Sequence, residues 1–172
     1  MHPELFRQPA SHPRVFNILL GYYWDIMSEE KVRDAGEQLV FIGHIETPYA
    51  TPADCPYTIN PGGPECRIVV HPKYAAGLTG LEVGGRILVL YWLDKASRSK
   101  PLVAERRSGN VAGAFAARTP HRPNPIAAAV LLIDGIDGAV LKVRGLDCVS
   151  GTPLIDIKPA MRAEFPAGGG GA

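Results

Sequence analysis

Short runs of β-branched, aliphatic and aromatic residues recur along most of the chain, each closed by proline, glycine or a charged cluster, and they predict strands. The first spans residues 38–47, where Val40, Phe41, Ile42 and Ile45 precede Pro48. Further runs occupy residues 66–71, 86–92, 113–118, 126–136, 139–145 and 154–158. The third, Arg-Ile-Leu-Val-Leu-Tyr-Trp, is apolar on both alternations, as in a strand covered on both faces. Asp137-Gly138 between the fifth and sixth runs is a two-residue hairpin signal. Only residues 14–34 carry helical spacing, through Val15, Ile18, Leu19, Tyr22, Tyr23 and Ile26, and predict an amphipathic helix. About seven strands with one helix make the pattern all-β and favour a closed or nearly closed barrel.

Two irregular stretches interrupt this pattern. Residues 48–64 hold Pro48, Pro52, Pro56, Pro61 and Pro64 with Gly62-Gly63, too broken for regular structure, and a loop of that length in a compact domain is usually functional or mobile. Residues 113–125, Gly-Ala-Phe-Ala-Ala-Arg-Thr-Pro-His-Arg-Pro-Asn-Pro, place Pro120, Pro123 and Pro125 within six positions. Each proline fixes its own φ and pushes the preceding residue toward extended backbone, so this segment is expected to be stiff. Prolines donate no backbone hydrogen bond, which leaves carbonyls here for other donors, while Arg118, His121, Arg122 and Asn124 offer donors at short spacing. That combination suits a ligand with both donors and anionic groups; it also suits a rigid turn between strands with solvated cations.

Length and composition bound the rest. At 172 residues and 46% hydrophobic content the chain fits one globular domain with tails. It divides into an N-terminal extension at 1–37, a barrel domain at 38–162 and a Gly/Ala-rich tail at 163–172, expected to be disordered. The net charge of +1 hides a local excess: residues 95–122 carry Lys95, Arg98, Lys100, Arg106, Arg107, Arg118 and Arg122 against Glu105. Such a patch favours an anionic partner such as a phosphate backbone, or is a solvated basic loop. Three widely spaced cysteines, Cys55, Cys66 and Cys148, fit reduced thiols in a cytoplasm. Cys55, Cys66 and His71 imitate part of a zinc site, but without a Cys-x-x-Cys no metal is expected. No apolar run is long enough to span a bilayer, so no membrane partner is expected.

Three blocks carry a resemblance. They are Phe41-Ile42-Gly43-His44-Ile45-Glu46-Thr47-Pro48-Tyr49, the central run from Gly113 through Arg122-Pro123-Asn124-Pro125-Ile126, and Gly145-Leu146-Asp147 followed by Gly151-Thr152-Pro153-Leu154-Ile155-Asp156-Ile157-Lys158-Pro159. In this order the chain resembles the TsaA-like family of S-adenosylmethionine-dependent methyltransferases, which includes the VirR and TrmO types. The resemblance implies a single-sheet β-barrel, S-adenosyl-L-methionine as cofactor and a homodimer. No Gly-x-Gly-x-x-Gly lies between a strand and a helix, so a Rossmann methyltransferase finds no support.

What the resemblance implies for single residues follows from the ligand's chemistry. The cofactor contacts expected are Arg118, His121, Arg122, Asn124, Pro125, Leu146, Asp147, Thr152, Asp156 and Lys158. Asp147 or Asp156 would accept from ribose hydroxyls, Arg118 or Arg122 would meet the carboxylate, and main chain near Pro125 and Leu146 would meet the adenine. Asp147 also reads as a turn cap, and Asp156 with Lys158 as a structural ion pair. The best-known members methylate N6 of threonylcarbamoyl-adenosine beside the transfer-RNA anticodon. For that acceptor Lys95, Arg98, Arg106 and Arg107 would hold phosphates, and one of Phe115, Tyr91, Trp92 or Tyr57 would stack the base. Histidines 121 and 44 are candidate bases. Ala53-Asp54-Cys55-Pro56, Val83-Gly84-Gly85-Arg86 and Ala160 depart from the tRNA-modifying pattern, and Trp92-Leu93-Asp94-Lys95-Ala96 looks more like the VirR type, so another acceptor or a non-catalytic cofactor-binding barrel stays open.

Overall fold

The computed structural model describes residues 38–100, 102–104, 109 and 111–161. The chain divides into two compact units at Gln38 and Leu39, and all described residues but Gln38 lie in the second. The helix expected at 14–34, the tail at 163–172, and Arg106 and Arg107 fall outside the described residues.

Among the described residues nine strands follow in order: β1 (Gly43–Glu46), β2 (Glu65–Val70), β3 (Arg86–Trp92), β4 (Leu102–Ala104), β5 (Val111–Gly113), β6 (Ile126–Leu132), β7 (Gly135–Asp137), β8 (Val140–Arg144) and β9 (Thr152–Pro159). A short 3-10 helix, Pro72–Leu78, starts on a proline, whose missing N–H costs nothing at that position. Seven strands form one sheet in the order β6-β3-β9-β1-β2-β8-β7, with every pairing antiparallel, and β4 pairs separately with β5.

Alternation sets the faces. In β3 the residues Ile87, Val89 and Tyr91 turn inward with Ile45, Ile68, Leu141, Val143, Leu146 and Leu154, none more than 1% exposed. Each such side chain contributes about 1.5–3 kcal/mol through its removal from water. Between Leu90 and Tyr91 the register with β9 shifts: Leu90 faces Asp156 while Tyr91 faces Leu154, which leaves Ile155 as the extra residue. Such a bulge re-aims side chains locally.

The sheet differs from the sequence expectation at four places. The run 126–136 is not one strand but two, broken at Ile133-Asp134, because its first half pairs with β3 and its second with β8. The two ends of the ladder, β6 and β7, are therefore neighbours in sequence, although among the described residues no ladder pairs them. The run 113–118 does not continue as a strand past Gly113, because the Ala116 amide turns back to the Gly113 carbonyl at 2.9 Å. Strand β1 begins at Gly43 rather than residue 38, and β4 had no signal in a stretch that reads as basic and polar.

The proline-rich loop 48–64 is tied down at both ends. The Ser150 amide donates to Tyr49 O at 2.8 Å, the Asn60 amide to Gly145 O at 2.9 Å, and the Gly145 amide to Pro64 O at 3.0 Å. Gly145 has φ +74, and a Cβ there would sit 1.5 Å from the Asn60 carbonyl oxygen, so only glycine fits. The loop thereby holds the Leu146-Asp147 corner from outside.

Candidate active site

The centre of the site is the end of β3 nearest the proline segment. Tyr91 is 1% exposed, and its hydroxyl donates to Asp147 Oδ1 at 2.6 Å. Burial first, then the Asp147 carboxylate, hold the Tyr91 hydroxyl far above the usual phenol range, with Arg118 acting in the opposite sense. Tyr91 therefore stays a proton donor, and it fixes one carboxylate oxygen. The other, Oδ2, accepts no hydrogen bond among the described residues, while Asp147 itself remains partly exposed. A half-exposed carboxylate with one oxygen held and one free is a ready acceptor for a ligand donor.

Stiffness of the proline segment has a visible source. Trp92 faces Ile126 in the β3–β6 ladder, and the Leu93 amide donates to the carbonyl of buried Pro125 at 2.9 Å. The Ser97 amide donates to His121 Nδ1 at 3.1 Å, and Arg98 Nε donates to Pro123 O at 2.8 Å. Arg122 donates to Ala117 O at 2.8 Å, and Ile126 donates to Asn124 O at 2.8 Å. The carbonyls of Ala117, Pro123, Asn124 and Pro125, expected to await a ligand, thus serve the segment's own bracing. Those of residues 118–122 accept none among the described residues.

Bracing also constrains chemistry. Because His121 Nδ1 accepts the Ser97 amide, the neutral ring carries its hydrogen on Nε2, which makes Nε2 a donor and removes it as a base in that form. His44 lies on β1, 3.5 Å from Glu46, which in turn meets Arg67 at 2.8 Å. Arg118 is exposed, and its charge is the weakest of the influences on the Tyr91 hydroxyl.

The remaining expected residues divide. Leu146 is fully buried beneath Asp147, and Thr152, 3% exposed, closes the turn behind it by donating to Val149 O at 2.7 Å. Asp156 and Lys158 pair with each other, and their register partners Leu90 and Leu88 put them on the sheet face opposite Tyr91. Asn124 is exposed at the segment's end. Tyr91, expected to contact the acceptor as a stacking ring, is instead a core residue that reaches the site only through its hydroxyl. Lys95 pairs with Asp94 at 2.9 Å, and Arg98 lies over Trp92 with its guanidinium carbon 5.4 Å from the ring. The Ser97 amide, a main-chain group, has no mark in a pattern of side chains.

Thiols surround the Asp147 corner. Burial pushes the Cys148 thiol up to about 12, and burial also raises Cys66 and Cys55, with the Asp147 charge adding at Cys148 and Cys55. All three are free cysteines. Among the described residues no three His, Cys, Asp or Glu side chains gather as a metal site. A shallow depression lined by Pro61, Arg86, Leu132, Asp134 and Arg144 lies at the far end of β6 and includes none of the expected site residues. Among the described residues no helix is long and apolar enough to cross a membrane.

Comparison with known proteins finds a matching family and several relatives. A family model described as the tRNA-methyltransferase O N-terminal domain matches residues 44–163. A probable S-adenosyl-L-methionine-binding protein, VirR, of Rhizobium radiobacter is 40% identical over 74% of this chain and 73% of its own length. An S-adenosyl-L-methionine-binding protein of Archaeoglobus fulgidus is 40% identical over 68% of this chain and 84% of its own. A human tRNA (adenine(37)-N6)-methyltransferase is 32% identical over 58% of this chain, which spans 22% of that protein. A crystal structure of TrmO from Pseudomonas aeruginosa shares the fold with a TM-score of 0.62 at 24% identity, covering 76% of this chain and 58% of that one. By a match across well over half its length, the chain belongs to the family of the tRNA-methyltransferase O N-terminal domain.

Proposed function

We propose that the protein is an S-adenosyl-L-methionine-dependent methyltransferase whose acceptor is N6 of threonylcarbamoyl-adenosine beside the tRNA anticodon, and that it works as a homodimer. The observation that carries the cofactor assignment is the Tyr91–Asp147 pair at the foot of the proline segment. The donor set fits the cofactor's chemistry: Asp147 offers a fixed carboxylate to hydroxyl, amino or ammonium donors, Arg118 offers a cation to a carboxylate, and the carbonyls of residues 118–122 offer further acceptors. When bound, the cofactor supplies a methyl group on a sulfonium, an excellent leaving arrangement. The residues of this chain then have to position, not to activate.

A second reading is favoured by the relatives. The VirR protein is matched over most of its length, whereas the human tRNA enzyme is matched over about a fifth of its own. A VirR-type paralogue with another acceptor, or a cofactor-binding barrel without turnover, uses the same Asp147 corner. Both readings are separated by incubating the protein with isotopically methyl-labelled S-adenosylmethionine and tRNA bearing threonylcarbamoyl-adenosine, followed by mass spectrometry of the nucleosides. Label on that nucleoside supports the tRNA reading; cofactor binding without any label on RNA sinks it.

A further inference from the structure

Two arginine–aromatic pairs frame the proline segment. Phe115, at the turn after β5, is 81% exposed, and the Arg122 guanidinium carbon stands 5.8 Å from its ring centre. At the opposite edge the Arg98 guanidinium carbon stands 5.4 Å from Trp92. Each arginine is fixed by a second contact to the segment it flanks, Arg122 to Ala117 O and Arg98 to Pro123 O, both at 2.8 Å. A guanidinium so clamped has lost its rotamer freedom before any partner arrives.

We propose that these two pairs are stacking platforms for unpaired bases of single-stranded RNA, with Phe115 as the principal one. The inference rests on the tRNA reading for its biological setting, but its argument is local. A bare phenyl ring on the surface gains from being covered, and a planar cation beside it suits a flat, electron-rich base with a phosphate nearby. Charge agrees: between 94 and 122 the described residues include Lys95, Arg98, Lys100, Arg118 and Arg122 against Asp94, which pairs with Lys95, with the Asp147 carboxylate next to this stretch at Tyr91. A duplex hides its base faces, so such platforms discriminate for loops and ends. Tyr91, buried in the core, is not available for this role.

The test is fluorescence anisotropy of the full chain with a labelled RNA hairpin carrying an anticodon-type loop, against a fully paired RNA duplex of the same length. Wild-type protein is expected to prefer the hairpin. Phe115→Leu is expected to weaken hairpin binding about tenfold, Phe115→Tyr to restore it, and Arg98→Gln to weaken it by a smaller factor. Affinity for S-adenosylmethionine and the sedimentation coefficient are expected to stay at wild-type values in Phe115→Leu. The proposal is overturned by unchanged hairpin affinity in Phe115→Leu, by equal binding of duplex and hairpin, or by no RNA binding in the wild type. It is equally overturned by a lost cofactor affinity, which would place the ring in the cofactor site, or by altered sedimentation, which would place it at a contact between copies. Failure of the methyltransferase reading shows differently, as absent cofactor binding with hairpin binding intact.

Discussion

The Tyr91 hydroxyl reaches Asp147 Oδ1 across 2.6 Å, joining the end of β3 to a corner 56 residues further along the chain. The bond leaves Asp147 Oδ2 without a donor among the described residues. Tyr91→Phe removes the donor, frees the carboxylate to rotate and leaves an oxygen without its partner. A charge-assisted bond of this kind contributes about 1.5–3 kcal/mol, so S-adenosylmethionine binding is expected to weaken roughly tenfold or more by calorimetry. Unchanged affinity in a folded Tyr91→Phe protein would make the bond purely structural.

Asp147 and Asp156 offer a comparison within one molecule. Their side chains differ in surroundings: Asp147 is held by a buried tyrosine, while Asp156 pairs with Lys158 beside Leu88 and Leu90 on the other face of the sheet. Asp147→Asn is expected to reduce cofactor affinity more than Asp156→Asn, measured by the same titration. Exposed ion pairs contribute about 0–1 kcal/mol, so Lys158→Met should shift the urea midpoint little. Equal losses of affinity in both aspartate variants would mean that the two faces join in one pocket.

Gly145 is the corner's weak point. With φ +74 and the Asn60 carbonyl where a Cβ would lie, Gly145→Ala has to displace the proline-rich loop or the Leu146 backbone. A loss above roughly 3 kcal/mol in urea unfolding is expected, the range of strain plus overpacking. A loss near zero would show that the loop yields freely.

Alkaline pH acts through the buried thiol. Cys148 titrates ordinarily at 9.0 but is pushed up to about 12 in the fold. The folded state therefore keeps a proton that the unfolded chain releases from pH 9.0 upward, and stability is expected to fall across pH 9 to 12 with a slope of up to about 1.4 kcal/mol per pH unit from this group. Below pH 9 its contribution is constant. Denaturation midpoints of wild type and Cys148→Ala across this range should converge as pH rises; parallel curves would remove Cys148 as the cause. Thiol labelling of the native protein should start at Cys55, which is partly exposed, ahead of Cys66 and Cys148, each 1% exposed.

The core strands were legible because their apolar alternation is a local property. Residues 86–92 are β3, as the alternation predicts, while the hairpin expected at Asp137-Gly138 lies one residue later: Asp137 ends β7 opposite Val140, and Gly138-Ala139 make the turn. The break at Ile133-Asp134 does have a local mark, Asp134-Gly135 interrupting the apolar run, but that pair does not reveal that the chain changes pairing partner from β3 to β8, which is a long-range property. Likewise Asp147 stood out as a motif residue, but its partner did not: Tyr91 looks like any core aromatic until the register brings its hydroxyl to the corner. The proline segment was expected to be stiff for its φ restrictions, and the structure adds a second cause in the arginines and the Ser97 amide that hold it. His121 illustrates the cost of reading residue types without partners, because the nitrogen that would serve as a base is committed.

The most direct test is calorimetric titration of S-adenosylmethionine into the wild-type chain and into Asp147→Asn, with circular dichroism to confirm that both are folded. Saturable binding by the wild type, weakened about tenfold or more by the substitution, is the expected result. Absence of binding by the folded wild type, or equal affinity in the two proteins, would contradict the placement of the cofactor at the Tyr91–Asp147 corner.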